Sequence, residues 1–166
     1  TLTLPAGTGN IITSTTAGTS IQVVNVQTGA MATGTTVVPA DDTITQKTEG
    51  NEYMTLAITP TNASNKLKID VVINIASAAG GQLAAALFQD TTANALASMG
   101  SSQDVNGRHE CIVFTHYMAA GTTDATTFKV RAGNSAAGTI TFNGNAGARR
   151  YGGTIASSIT ITEIAV

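Results

Sequence analysis

Lys66-Leu67-Lys68-Ile69-Asp70-Val71-Val72-Ile73-Asn74-Ile75 is the stretch that decides the fold of this chain. Leu67, Ile69, Val71, Ile73 and Ile75 recur at every second position, with Lys66, Lys68, Asp70, Val72 and Asn74 between them. Successive side chains of a strand point to opposite faces, so one face here is aliphatic and the other largely polar. The segment is therefore a β-strand with one side in a core. Shorter stripes repeat the pattern. Met54, Leu56 and Ile58 are closed by Pro60 and the turn-forming Thr61-Asn62-Ala63-Ser64-Asn65. Phe128 and Val130 oppose Lys129 and Arg131, Ile140 pairs with Phe142, and Ile159 and Ile161 oppose Thr160 and Thr162.

Two stretches need arbitration. Leu83-Ala84-Ala85-Ala86-Leu87 has helix propensity, but Gly80-Gly81 before it and Asp90-Thr91-Thr92-Ala93-Asn94 after it punctuate at hairpin spacing. Two strands, within 82–88 and 95–99, are the better reading. Between Arg108 and Met118 both parities are apolar, Cys111 and Val113 on one and Ile112, Phe114 and Met118 on the other. Such a strand is expected to be covered on both faces, inside a sandwich or at a subunit interface. Regularly spaced strands with Gly- and Asn-rich turns predict an all-β protein, an antiparallel β-sandwich of jelly-roll type.

Residues 1–50 read differently, as an extended segment rich in Gly and Thr, with β-prone pieces at 11–12, 21–26, 35–38 and 43–46. Apolar runs this short do not bury enough surface to fold alone, so the segment should drape over other elements or a neighbouring subunit. The expected division is 1–50 for this segment and 51–166 for the sandwich, with a soft boundary near Gly50-Asn51.

Composition narrows the function classes. Of the 166 residues only 11% are charged, against roughly 25% in an ordinary domain. Eight basic and ten acidic residues leave a net charge of −2, which excludes a basic nucleic-acid binder. Cys111 is the single cysteine, so an intramolecular disulfide and a multi-cysteine zinc site are both excluded. No apolar run approaches the length of a transmembrane helix. Thr1-Leu2-Thr3-Leu4-Pro5 has neither the basic nor the apolar region of a signal peptide, and reads as the start of a piece of a longer chain. So few charges leave sheet edges unguarded, and burial against copies of the same chain is the expected remedy.

From Val23 onward the sequence resembles a known family. Val23-Val24-Asn25-Val26-Gln27-Thr28-Gly29-Ala30, Ala32-Thr33-Gly34-Thr35-Thr36 and Asp41-Asp42-Thr43-Ile44 are similar to segments of phage tail fibres. So are Glu52-Tyr53-Met54-Thr55-Leu56, Lys66-Leu67-Lys68-Ile69-Asp70, Phe114-Thr115-His116-Tyr117-Met118 and the close, Ser157-Ser158-Ile159-Thr160-Ile161-Thr162-Glu163. The chain resembles the C-terminal domain of a bacteriophage tail fibre or tailspike-like protein. That resemblance implies a distal, virion-exposed homotrimer that binds a bacterial surface receptor, often a polysaccharide, or else caps the fibre. A polysaccharide depolymerase fragment is a third reading.

The residues offer little catalysis. The ten acids are scattered, and Asp41-Asp42 or Glu49 and Glu52 suit turns better than a glycosidase pair. No G-x-S-x-G elbow occurs, and neither Gly7-Thr8-Gly9 nor Asn143-Gly144-Asn145-Ala146-Gly147 leads into a Lys-Ser/Thr pair. The chain is expected to be no enzyme and to need no cofactor. His109 and His116, seven apart, face opposite sides of one strand and cannot share a metal within a subunit. His116 alone could do so across a trimer axis. Binding is the better prospect. Asn143, Asn145, Arg149, Arg150 and Tyr151 cluster in a Gly-rich loop, where Arg150 and Tyr151 could offer a bidentate donor beside a stacking ring and favour acidic sugars. Asp104, Asn106, Arg108 and His109 form a second polar loop.

Overall fold

The decisive strand is β4 (Lys66–Ser77) of a computed structural model that describes residues 16–103 and 107–166. Around it lie β1 (Ser20–Thr28), β2 (Ala32–Gly34), β3 (Asn51–Ile58), β5 (Gly81–Gln89), β6 (Ala97–Gln103), β7 (His109–Ala119), β8 (Thr126–Asn134) and β9 (Ile140–Phe142). A small hairpin, β10 (Gly144–Asn145) with β11 (Ala148–Arg149), precedes the last strand, β12 (Ser157–Ile164). One sheet runs β1-β12-β4-β7, with β9 continuing along the β12 edge of β4 and β2 beyond it. The other runs β3-β8-β5-β6, and every pairing is antiparallel. Only β5 to β6 is a hairpin among these eight principal strands, and the other steps cross between sheets. This is a jelly roll.

The alternation in β4 does what it predicts. Leu67, Ile69, Val71, Ile73 and Ile75 are all fully buried, and Met54, Ile58, Leu83, Leu87, Phe128 and Val130 of the second sheet share their cluster. Each such side chain contributes about 1.5–3 kcal/mol by leaving water. Ile73→Val removes one methylene from this interface and should cost about 1 kcal/mol. Urea denaturation with an unchanged slope is the check.

The Ala-rich stretch is strand β5, not helix. Its register sets Leu83 against Ser101 and Leu87 against Ala97. Ala84 pairs with Gly133 of β8, and these small residues leave a shallow floor on the outer face. Residues 35–50 lie across that floor: the Val38 N–H donates to the Asn134 carbonyl at 3.1 Å, and a Cβ on Gly133 would stand 2.7 Å from the Thr36 carbonyl oxygen. This part of the N-terminal segment lies against the second sheet. Residues 20–28 do not drape. They form β1, paired along β12 as a full member of the first sheet, while the 11–12 piece lies outside the described residues.

β7 is covered by the sandwich on one face only. Ile112 and Phe114 are buried, whereas Val113 and Tyr117 are 55% and 57% exposed on the outer face. Within one chain the strand is therefore not enclosed on both sides, which leaves the subunit-interface alternative.

At the Lys66 pole of β4, a carboxylate occupies a position that parity reserves for the core. Glu163 follows Ile159 and Ile161 on the inward face of β12 and is fully buried. It accepts hydrogen bonds from Gln22 Nε2 (2.6 Å), Asn65 Nδ2 (2.7 Å), Thr61 Oγ1 (2.8 Å) and the Thr61 and Asn62 N–H groups (2.9 and 3.3 Å). Burial pushes its pKa up, but these donors favour the ionised form more strongly and hold it at about 2. The carboxylate thus ties β1 and the β3–β4 turn to the closing strand. The ends of the described chain meet at this pole too, the Gly18 N–H donating to the Ala165 carbonyl and the Ala165 N–H to that of Thr19, both at 2.9 Å.

Candidate functional site

The other pole of the first sheet is built from Asn74 and His109, both on outward positions, with His109 paired to Ala76 in the β4–β7 register. Over it folds the connection from β9 to β12. That connection turns through several left-handed residues: Asn143 (φ 51°), Ala146 (50°), Gly147 (71°), Tyr151 (47°), Gly152 (65°) and Gly153 (89°). The last three form one 3-10 turn, Tyr151–Gly153. Between the connection and the sheet lies an open cleft of about 750 Å³, lined by Asn74, His109, Asn145, Arg150, Tyr151 and Ile155.

The two polar loops that the sequence presents separately meet here. Asn145 Nδ2 donates to the Gly107 carbonyl, pinning the β10–β11 hairpin to the turn before β7. Asn74 fixes the far wall: its N–H donates to Ser157 Oγ at 2.9 Å and its Nδ2 to the Ala156 carbonyl at 2.8 Å. His109 Nε2 is shielded from solvent and has no hydrogen-bond partner. Tyr151 is 82% exposed.

The remaining predicted residues divide differently. Asn143 does not face a ligand. It is fully buried, its Nδ2 donates to the Thr28 (2.7 Å) and Ala30 (3.2 Å) carbonyls, and its Oδ1 accepts from Ser157 Oγ at 2.7 Å. Its amide holds the end of β1 and the start of β12 to the loop. Arg149 lies against Gly153, where an added Cβ would stand 2.7 Å from its Cδ, and it is not part of the cleft lining. Arg108 pairs with Glu110 at 3.0 Å. His116 takes the inward parity of β7 between Phe114 and Met118, opposite Ile69. Asp104 and Asn106 lie outside the described residues. Among the described residues, no group of three or more His, Cys, Asp or Glu side chains could hold a metal ion.

Sequence reasoning missed Asn74 and Ile155. Asn74 reads as one more polar residue on the outward face of β4, and only the β9–β12 connection folding above it makes it part of a cleft. A second hollow of about 530 Å³ lies between residues 38–45 and β5–β6. Its one carboxylate, Asp41, already accepts from the Thr43 hydroxyl and N–H.

No protein-family model matches the chain, nor does any curated protein. Among solved structures, the Eiger TNF of S. frugiperda superposes with a TM-score of 0.51 at 9% identity, covering 86% of this chain and 93% of that one. The likeness is one of fold. The infectious bursal disease virus VP2 subviral particle matches at a TM-score of 0.38 and 11% identity, over 89% of this chain and 39% of that one. The enzymatically active domain of bacteriophage CBA120 tailspike protein 4 matches at 0.29 and 17%, over 75% and 19%. Neither of these two bears on what the chain does.

Proposed function

We propose that the chain is the tip domain of a phage tail fibre, assembled as a homotrimer on the virion and attaching to a host-surface glycan through the cleft at Asn74, His109, Asn145, Arg150 and Tyr151. The observation that carries this reading is the convergence of two loops on one cleft that presents a guanidinium, two side-chain amides and an exposed aromatic ring. Glycans are held by such planar donors and stacking rings. The site also lies at the pole of the sandwich opposite residues 18, 19 and 165, which leaves the cleft clear of those segments. Three identical sites on one particle would multiply weak single contacts. The chain itself performs no catalytic step in this reading.

A purified chain applied to an array of bacterial surface polysaccharides tests it. Binding that disappears in Arg150→Ala and Tyr151→Ala, with an unchanged thermal midpoint, is the expected result. Exposed Val113 and Tyr117 on an unguarded strand favour a second reading, a structural module that only trimerises and caps the fibre. Light scattering gives the assembly directly: three chains of 16.7 kDa each are expected. Three chains with no glycan bound would select the capping module, and a monomer would remove the assembly from both readings.

A further inference from the structure

The charge of the cleft says which glycans it takes, an inference that rests on the attachment reading above. Among the described residues its lining has a cation and an imidazole but no carboxylate. The acid nearest in the chain, Glu110, is already occupied by Arg108 at 3.0 Å and by the Ser101 hydroxyl at 3.1 Å. Elsewhere on the surface some basic side chains are matched, Lys68 with Asp70 and Lys129 and Arg131 with Glu52, whereas Lys47, Lys66 and Arg149 make no ion pair among the described residues. Arg150 has no such partner among the described residues. A guanidinium with no acidic partner, lining an open cleft, is a forked donor for an anion.

Tyr151 supplies the second observation. A tyrosine at φ 47° is strained by its Cβ, and burial does not compensate, because the ring is 82% exposed. The Gly152-Gly153 pair continues the left-handed path, so the backbone sets the ring at the mouth of the cleft beside Arg150. Asn145 and Asn74 spend their amide nitrogens on the Gly107 and Ala156 carbonyls, which leaves their Oδ1 atoms as acceptors for hydroxyls.

We propose that this cleft binds an acidic sugar residue of a bacterial polysaccharide, a uronic or ulosonic acid, with its carboxylate on the Arg150 guanidinium and its C–H face on the Tyr151 ring. The fork of the guanidinium matches a carboxylate in two parallel hydrogen bonds, which a lysine does not reproduce.

The test uses the full chain, with tetragalacturonate and an α2,8-linked tetrasialic acid as probes, each beside its methyl ester and its carboxyl-reduced neutral form. Calorimetry or saturation-transfer NMR reads the binding. At least one acid form should bind, with its ester and neutral form weaker by about tenfold or more, and Arg150→Ala should lose 10- to 100-fold. Arg150→Lys should restore only part of that loss, and Tyr151→Phe should bind where Tyr151→Ala does not. Both positions are exposed, so the variants should keep the wild-type amide spectrum. Neutral forms binding as tightly as the acids would overturn the assignment and leave glycan attachment standing. A glycerol-phosphate oligomer binding in place of both acids would move the cation to phosphate and overturn the carboxylate. Failure of every sugar, acidic and neutral, to bind would overturn this inference and the attachment reading together.

Discussion

Glu163→Ala is expected to lower the stability of the protein by about 3–5 kcal/mol, the cost of removing one side of a buried charged network. The substitution leaves Gln22 Nε2, Asn65 Nδ2, the Thr61 hydroxyl and two backbone N–H groups without the fully buried acceptor they share. Acid should act on the same group. The folded carboxylate sits at about 2, below its ordinary value of 4.5, so its contribution is complete above pH 4.5 and is lost as the pH falls towards 2. The difference corresponds to about 3 kcal/mol. Glu163→Gln should be less stable than wild type at neutral pH and flatter between pH 5 and 2. Denaturant melts across that range decide the matter. An acid slope shared by wild type and Glu163→Gln would mean that another group carries the acid sensitivity.

Asn143→Ala should cost about 3–4 kcal/mol by two separable routes, unmade hydrogen bonds and backbone strain. The Thr28 and Ala30 carbonyls and the Ser157 hydroxyl lose their partner, and an alanine is left at φ 51°. Asn143→Gly relieves the second cost but not the first, so it should recover about 1 kcal/mol of the loss. Recovery of nearly all of it would show that the amide bonds contribute little. A fall in ligand binding by either variant would report a loosened loop, so these two belong to stability measurements and not to the mapping of the cleft.

The sandwich was legible where alternation ran long enough to leave one interpretation. Leu67 to Ile75 alternates without a break, and one face of that strand could only be core. Leu83 to Leu87 was harder because alanine fits a helix and a covered sheet face equally well; the flanking Gly80-Gly81 decided it. The jelly-roll crossings follow from long-range pairings such as β1 with β12, which no local pattern encodes. Within the candidate loop, Asn143 and Asn145 look alike in the sequence. A Gly-rich loop has no period from which to read which amide turns inward, and the left-handed turn at Asn143 alone sends its side chain under β1 and β12. Glu163 carried a readable signal, its parity with Ile159 and Ile161, but the residue stood in the sequence only as part of the resemblance. An acidic residue on a core parity was the feature to question.

The hydrogen bonds that join residues 18 and 19 to Ala165 bring together the outer ends of the first and last strands of the sandwich. In a circular permutant without residues 1–15, a short linker from Val166 to Thr16 would close the sandwich into a ring, which could then be cut elsewhere. Gly121, exposed beyond the end of β7 with open space where a Cβ would stand, lies at the same pole as residues 18 and 165, and a cut there would leave the new ends at that pole. A cut at Ala146-Gly147, the tip of the β10–β11 hairpin, would move both ends to the cleft pole. The same sandwich would then carry its ends beside Asn145 and Arg150.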